Sequence, residues 1–210
     1  MKERGILTVV SGFAGSGKGT LMRELTSRYD NYALSVSATT RDPRPGEKEG
    51  REYFFKSTEE FKEMIETDAF IEYAQYVNHY YGTPREYVEA QLMDGKDVIL
   101  EIEIQGALQV KKKFPETLLL FVTPPSAEIL KKRLVGRGTE TMPVIEARLS
   151  RAAEEAEGIG AYDYLIINDQ IEECVNTMHH IIRNEHMRAS RNIDFINKMK
   201  EGLRSLSKGE

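Results

Sequence analysis

Apolar residues in this chain fall into short continuous runs separated by segments of helical period. Ile6-Leu7-Thr8-Val9-Val10, Val98-Ile99-Leu100-Glu101-Ile102-Glu103, Leu118-Leu119-Leu120-Phe121-Val122 and Tyr164-Leu165-Ile166-Ile167 are too continuous to be strands with one wet face. Such runs with helices between them predict an α/β fold, a parallel sheet covered by helices on both faces. Leu21 to Leu25 opens the first helix and a second runs from about Pro143 to Glu157. Ile171, Cys174, Val175, Met178, Ile181 and Ile182 mark an amphipathic helix lying on the sheet.

Between the first helix and Val98 the pattern changes. Tyr32-Ala33-Leu34-Ser35-Val36-Ser37 reads as one short strand, and the prolines and glycine of Ala38 to Gly46 make a loop. Glu52 to Phe55 is a brief strand, and Ser57-x-x-Glu60 is a capping box ahead of Phe61, Met64 and Ile65. Phe70 to Tyr76 is again strand-like. Thr83-Pro84-Arg85-Glu86 supplies the cap, first-turn proline and glutamate of a helix ending near Gly95. Residues 37–85 therefore read as an inserted subdomain within one domain spanning 1–210. After Ser126 to Leu134 comes a loop holding Gly136 and Gly138, and the polar segment Lys198 to Glu210 reads as a frayed helix or a dimer contact.

Composition acts mainly by exclusion. With 40% hydrophobic and 30% charged residues over 210 positions, the chain has an ordinary globular balance and enough apolar mass for a core. No apolar run nears the ~20 residues of a membrane span, and Met1-Lys2-Glu3-Arg4 leads straight into the first strand, so a cytoplasmic protein without a membrane partner is expected. A net charge of −5 disfavours nucleic acid. The single cysteine, Cys174, excludes an intramolecular disulfide, and histidines at 79, 179, 180 and 186 lack ligand spacing, so no structural metal is expected.

The chemistry begins where the first strand ends. Gly12-Phe13-Ala14-Gly15-Ser16-Gly17-Lys18-Gly19-Thr20 follows a strand and opens a helix. Its glycines let successive N–H groups converge on a phosphate at the positive end of the helix, and Lys18 adds a full charge. The string fits G-x-x-x-x-G-K-[ST] except that Gly19 stands where the hydroxyl belongs, which comes one residue later at Thr20. A nucleoside-triphosphate phosphate site follows.

Three further groups stand out. Glu101 and Glu103, two apart on a strand, would share one side of the sheet near its carboxyl end, within reach of a metal at the loop, or else face solvent. Arg41, Arg44, Tyr53 and Tyr81 bring guanidinium forks and phenol hydroxyls suited to a second phosphate monoester, or form a basic surface loop beside core tyrosines. Arg133, Arg137 and Arg148 surround the second glycine-bearing loop, where they would close over phosphates or lie on a solvated helix face.

Together with the phosphate loop, Ser35-Val36-Ser37-Ala38-Thr39-Thr40-Arg41-x-Pro43-Arg44-x-Gly46-Glu47, Tyr80-Tyr81-Gly82-Thr83, Gln105-Gly106 and Arg133-Leu134-x-x-Arg137-Gly138-Thr139 resemble the guanylate kinase family over about residues 5–185. The resemblance implies transfer of the γ-phosphoryl group of ATP to GMP, in a P-loop kinase core with a GMP-binding insertion at 37–85 and a mobile lid at 136–150. By resemblance, Gly12 to Thr20 and Asn168 bind ATP, with Asn168 on its base or ribose. Ser37, Arg41, Arg44, Tyr53, Glu72, Tyr81, Thr83 and Glu103 bind GMP. Thr20 and Glu101 hold Mg²⁺, directly or through water, and Lys18, Arg41, Arg133, Arg137 and Arg148 carry the catalytic charge. Glu101-Ile102-Glu103 stands where the family often has Asp-Ile-Asp. ATP and GMP are the expected partners, for a monomer or a homodimer. Guanine presents two donors that an ionised Glu72 satisfies, with the hydroxyls of Ser37 and Thr83 on its acceptor side. The alternatives are another monophosphate kinase of this architecture and a peptide-binding module without activity.

Overall fold

The computed structural model describes residues 4–76, 78–136 and 141–207. In chain order the elements are β1 (Leu7–Gly12), α1 (Lys18–Arg28), β2 (Tyr32–Leu34), β3 (Ser37–Thr39), β4 (Tyr53–Phe55), α2 (Thr58–Glu66), β5 (Phe70–Tyr76), β6 (His79–Pro84) and α3 (Arg85–Met93). They continue with β7 (Asp97–Glu101), α4 (Ile104–Lys113), β8 (Leu118–Thr123), α5 (Ala127–Gly136), α6 (Met142–Ala156), β9 (Tyr164–Ile167), α7 (Ile171–His186) and α8 (Ile193–Ser207).

Five strands form one parallel sheet in the order β2-β7-β1-β8-β9. Its central strand shows why the apolar runs are continuous: Val9 and Val10 point to opposite faces and both are fully buried. Val10, Ile99 and Leu120 pack under Leu21 and Leu25 of α1 and Val175, Met178 and Ile182 of α7. Val9, Val98 and Leu100 pack under Val88 and Leu92 of α3 and Ala107 and Val110 of α4. Among the described residues, no helix is long and apolar enough to cross a membrane.

A second sheet, in the order β4-β3-β6-β5, is mixed: β3 pairs parallel with β4, while β6 runs antiparallel to both β3 and β5. The capping box forms as expected at Ser57 and Glu60 and starts α2. From α2, Phe61 stacks on Phe70 and Tyr80, and with Ala38 these aromatics give the small sheet its own core.

Several expectations need correction. The single strand expected over 32–37 is two strands in different sheets, because the chain leaves the large sheet after Ser35 N donates to Ile99 O. Unbroken local alternation gave no sign of that division. The expected loop begins late, since Ala38 is buried and the Thr39 hydroxyl donates to Tyr80 O. Thr83 does not cap α3: it belongs to β6, Pro84 holds the cap position, and the helix starts at Arg85. Strand β7 stops at Glu101, so Glu103 leaves the strand and becomes the residue preceding α4. The tail continues as helix to Ser207, with Phe195, Met199, Leu203 and Leu206 exposed.

One buried acid went unread in the sequence. Asp97 is 3% exposed, and its carboxylate accepts from Ile6 N at 2.8 Å, His186 Nε2 at 2.8 Å and Asn31 Nδ2 at 2.9 Å. It fastens the lower ends of β1 and β7 to α7. Removing it strands a backbone N–H and an amide, so Asp97→Ala is expected to lower stability by about 2–4 kcal/mol. Urea unfolding followed by circular dichroism measures the loss.

Candidate active site

Strand β1 delivers the phosphate loop at the carboxyl edge of the large sheet. At Gly12 φ is +152°, and a Cβ there would sit 2.1 Å from the Val122 carbonyl oxygen of the neighbouring strand. At Gly17, the N-cap of α1, φ is +93° and a Cβ would sit 2.5 Å from Asn168 Nδ2. Only glycine meets both demands, of conformation and of space. Within the loop Ser16 N donates to Phe13 O, and the Phe13 ring is anchored edge-on against Phe121. Lys18 Nζ donates to Gly12 O and Phe13 O, which holds the ammonium at the mouth of the loop.

Beneath the loop lies a brace. Asn168 Nδ2 donates to Ser16 O at 2.7 Å, Arg133 Nη1 donates to the same oxygen at 3.3 Å, and Arg133 Nη2 donates to Asn168 O at 2.8 Å. Asn168, expected at the nucleotide base or ribose, is only 3% exposed and engages the loop backbone. Arg133, expected among charges that close over phosphates, is tied to loop carbonyls instead. Arg137 lies outside the described residues.

Beside the loop a hollow of about 550 Å³ is lined by Ala14, Gly15, Lys18, Gly19, Thr20, Arg23, Glu101 and Arg148. Thr20 Oγ1 accepts from Arg23 Nη2 at 3.5 Å. Glu101 opens to this hollow but is flanked by protein mass, so desolvation raises its pKa while the Lys18 ammonium pulls it down. Among the described residues, no group of three or more His, Cys, Asp or Glu is placed to hold a metal ion. Glu103 is absent from this hollow, although it lines a wider cleft with Glu101. It forms an ion pair with Arg151 of α6, whose Nε also bonds Glu155 at 3.1 Å. The sequence reading missed Arg151, which carries no motif.

A wider cleft of about 820 Å³ joins the loop to the second sheet; Gly12, Lys18, Ser37, Tyr53, Glu101 and Arg148 all line it. Ser37 and Tyr53 are register partners on β3 and β4, and the rings of Tyr53 and Tyr81 lie 6.1 Å apart. The Arg41 guanidinium sits 5.3 Å from the Tyr53 ring centroid. Its Nη2 bonds Glu47 Oε1 at 3.0 Å, and Glu47 Oε2 accepts from Arg44 N at 2.7 Å. These bonds pull the Glu47 pKa below the usual carboxylate range and raise that of Arg41. The Arg44 side chain is exposed. Glu47 is therefore the counter-charge of the basic loop, a role no sequence pattern announced.

Glu72 takes its place on the small sheet through an irregularity. On β5 the register against β6 shifts between Phe70 and Glu72, which places Glu72 directly opposite Thr83. Such bulges re-aim side chains. Here the Thr83 hydroxyl donates to Glu72 Oε1 at 2.7 Å, and the carboxylate is 9% exposed. Burial raises the Glu72 pKa, and the hydrogen bonds from Thr83 oppose the rise.

Residues 4–185 match the family model described as guanylate kinase. The chain belongs to the guanylate kinase family. It is 52% identical over 202 residues to a guanylate kinase of Bacillus anthracis, covering 96% of this chain and 98% of that one. Against a guanylate kinase of Bacillus subtilis it is 49% identical over 202 residues, covering 96% and 99%. The crystal structure of guanylate kinase from Anaplasma phagocytophilum matches with a TM-score of 0.71 at 34% identity over 90% of each chain. This family member thus brings the phosphate loop and the small-sheet residues Ser37 and Tyr53 to one cleft.

The brace gives a prediction independent of any ligand. Asn168→Ala leaves the buried Ser16 carbonyl with only the longer Arg133 bond, so stability is expected to fall by about 1–2 kcal/mol. Amide exchange at residues 15–17 should accelerate, which hydrogen exchange with mass spectrometry would register.

Proposed function

We propose that the chain transfers the γ-phosphoryl group of ATP to the phosphate of GMP, releasing ADP and GDP. The observation that carries this reading is the shared cleft: the phosphate loop with Lys18 and the small-sheet residues Ser37 and Tyr53 line it together, with Arg41 and Tyr81 against the Tyr53 ring and Glu72 and Thr83 paired on the same sheet.

In the proposed reaction the bond from the γ-phosphorus to the bridging oxygen of ADP breaks as a GMP phosphate oxygen bonds to that phosphorus. A phosphate monoester with a second pKa of about 6 is largely dianionic near neutrality, so the acceptor needs no base to deprotonate it. The barrier lies in bringing two anions together. Lys18, Arg41, Arg44 and Arg148 neutralise that charge and align the phosphates. Arg133 acts through the loop it braces. Residues 37–85 serve as the GMP-binding insertion and 136–150 as the lid, whose closure excludes water. A bound magnesium ion would neutralise the β- and γ-phosphate oxygens. Glu101 and Thr20 offer the hard oxygen donors it takes, and both line the hollow that holds Lys18.

Selectivity comes from Glu72. Guanine brings N1–H and the 2-amino group to a carboxylate, whereas adenine would leave that buried group with only its hydrogen bond from Thr83. A site built this way rejects the wrong base by about 10⁴-fold or more.

A coupled assay with ATP, Mg²⁺ and GMP, AMP, CMP or UMP in turn tests the proposal. Turnover of GMP with the others near background is expected. Turnover of AMP but not GMP overturns it, and binding without turnover would make the chain a non-enzymatic module. Glu72→Gln should raise the KM for GMP by about 100-fold or more with ATP binding unchanged, and Lys18→Ala should abolish transfer in a folded protein.

Acidity supplies a further check. The folded pKa of Glu72 is raised, so the apoprotein holds this proton above the pH at which the unfolded chain loses it. Its stability contribution is complete below the ordinary carboxylate pKa and is lost as pH rises through the folded value. Guanine requires the ionised form. Affinity for guanosine, which has no phosphate to titrate, should therefore increase with pH through the same window, and Glu72→Gln should flatten that dependence in isothermal calorimetry.

A further inference from the structure

Helix α4 begins at Ile104 after Glu103, so Gly106 is the third residue of its first turn. The backbone N–H groups of a first helical turn lack partners within the helix, and the helix dipole favours an anion beside them. This helix carries no acid of its own there, and no side chain caps it, since the Glu103 carboxylate is turned to Arg151. The acid that approaches comes from another element. A Cβ built on Gly106 would lie 3.3 Å from Glu72 Oε2 and 3.8 Å from Glu72 Cδ. The other oxygen, Oε1, is held by the Thr83 hydroxyl at 2.7 Å.

Glycine at this position is unfavourable for the helix itself, by about 0.5–1 kcal/mol relative to alanine. Its backbone does not require glycine either, because Gly106 is absent from the positive-φ glycines. What glycine provides is space on the side of α4 that faces Glu72. We propose that Gly106 is a positioning residue for base selection: its missing side chain lets the Glu72 carboxylate rest against the first turn of α4, fixed between that turn and Thr83. An added methyl group would press on Oε2 and on Ile102 Cδ1, each 3.3 Å away, so that the carboxylate must move by a few tenths of an ångström. This inference rests on the reading of Glu72 as the guanine-binding residue.

The test compares Gly106→Ala and Glu72→Gln with the unaltered full-length chain, by steady-state kinetics and calorimetric melting. Gly106→Ala is expected to raise the KM for GMP about tenfold, leave the KM for ATP within about twofold, and keep or raise the melting temperature. The preference for GMP over IMP, which lacks the 2-amino group, should shrink by a similar factor. Should Gly106→Ala leave the KM for GMP unchanged while Glu72→Gln raises it, the inference is overturned and the base reading stands. Should neither variant change that KM, the base reading falls and takes the inference with it. A melting temperature lowered together with equal losses for both nucleotides calls for the double variant Glu72→Ala/Gly106→Ala. Recovery of the melting temperature there puts the crowding on the carboxylate and supports the inference; no recovery puts it on Ile102 and overturns it.

Discussion

A carboxylate nearly out of reach of water governs the arrangement of the cleft. Glu72 stands on the small sheet, takes a hydroxyl from Thr83 on the next strand, and faces the first turn of a helix that packs on the large sheet. Burying an acid without partners would be strongly unfavourable, so the geometry around it has little freedom. The bulge on β5, the place of Thr83 in a strand rather than a cap, and the glycine of α4 all serve the position of that one group. The small sheet is thereby set against the large one at the place where both line the same cleft.

The opposite side of the cleft follows a different logic, that of fixed dipoles and mobile cations. The phosphate loop follows an unusual backbone path that two glycines at positive φ allow and that contacts from below support. Asn168 and Ser16 are separated by 152 residues in sequence, and their bond joins the end of β9 to the beginning of α1. The loop is therefore rigid before any phosphate arrives, and preorganised N–H donors need no rearrangement at the moment of reaction. Lys18 reaches from α1 back to the loop carbonyls, and its charge opposes the rise in the Glu101 pKa that burial causes.

The large sheet and the phosphate loop were legible because their signals are local: unbroken apolar runs for strands buried on both faces, and glycines at fixed offsets before a lysine. Where the sequence misled, a distant partner had overridden a local preference. Thr83-Pro84-Arg85-Glu86 has the composition of a helix start, yet the threonine hydroxyl is claimed by Glu72, eleven residues earlier. Alternation of Glu101 and Glu103 would hold only if the strand continued, and it ends two residues too soon, at Glu101. Asp97 looked like an ordinary polar residue, and the bracing role of Asn168 went unread, because their partners, Ile6 and Ser16, lie 91 and 152 residues away. No window of sequence contains such pairs.

The basic loop shows how attraction and readiness are reconciled. Arg41 is neutralised by Glu47 in a partly buried pair, with only 14% and 17% of the two side chains exposed and a bond of 3.0 Å. An unpaired guanidinium between two tyrosines would be free to fold into other acids; Glu47 instead holds it over the Tyr53 ring. A phosphate dianion would offer that guanidinium more charge and a matching fork of oxygens. The acid that accompanies the arginines thus balances their charge and orients the Arg41 guanidinium over the Tyr53 ring.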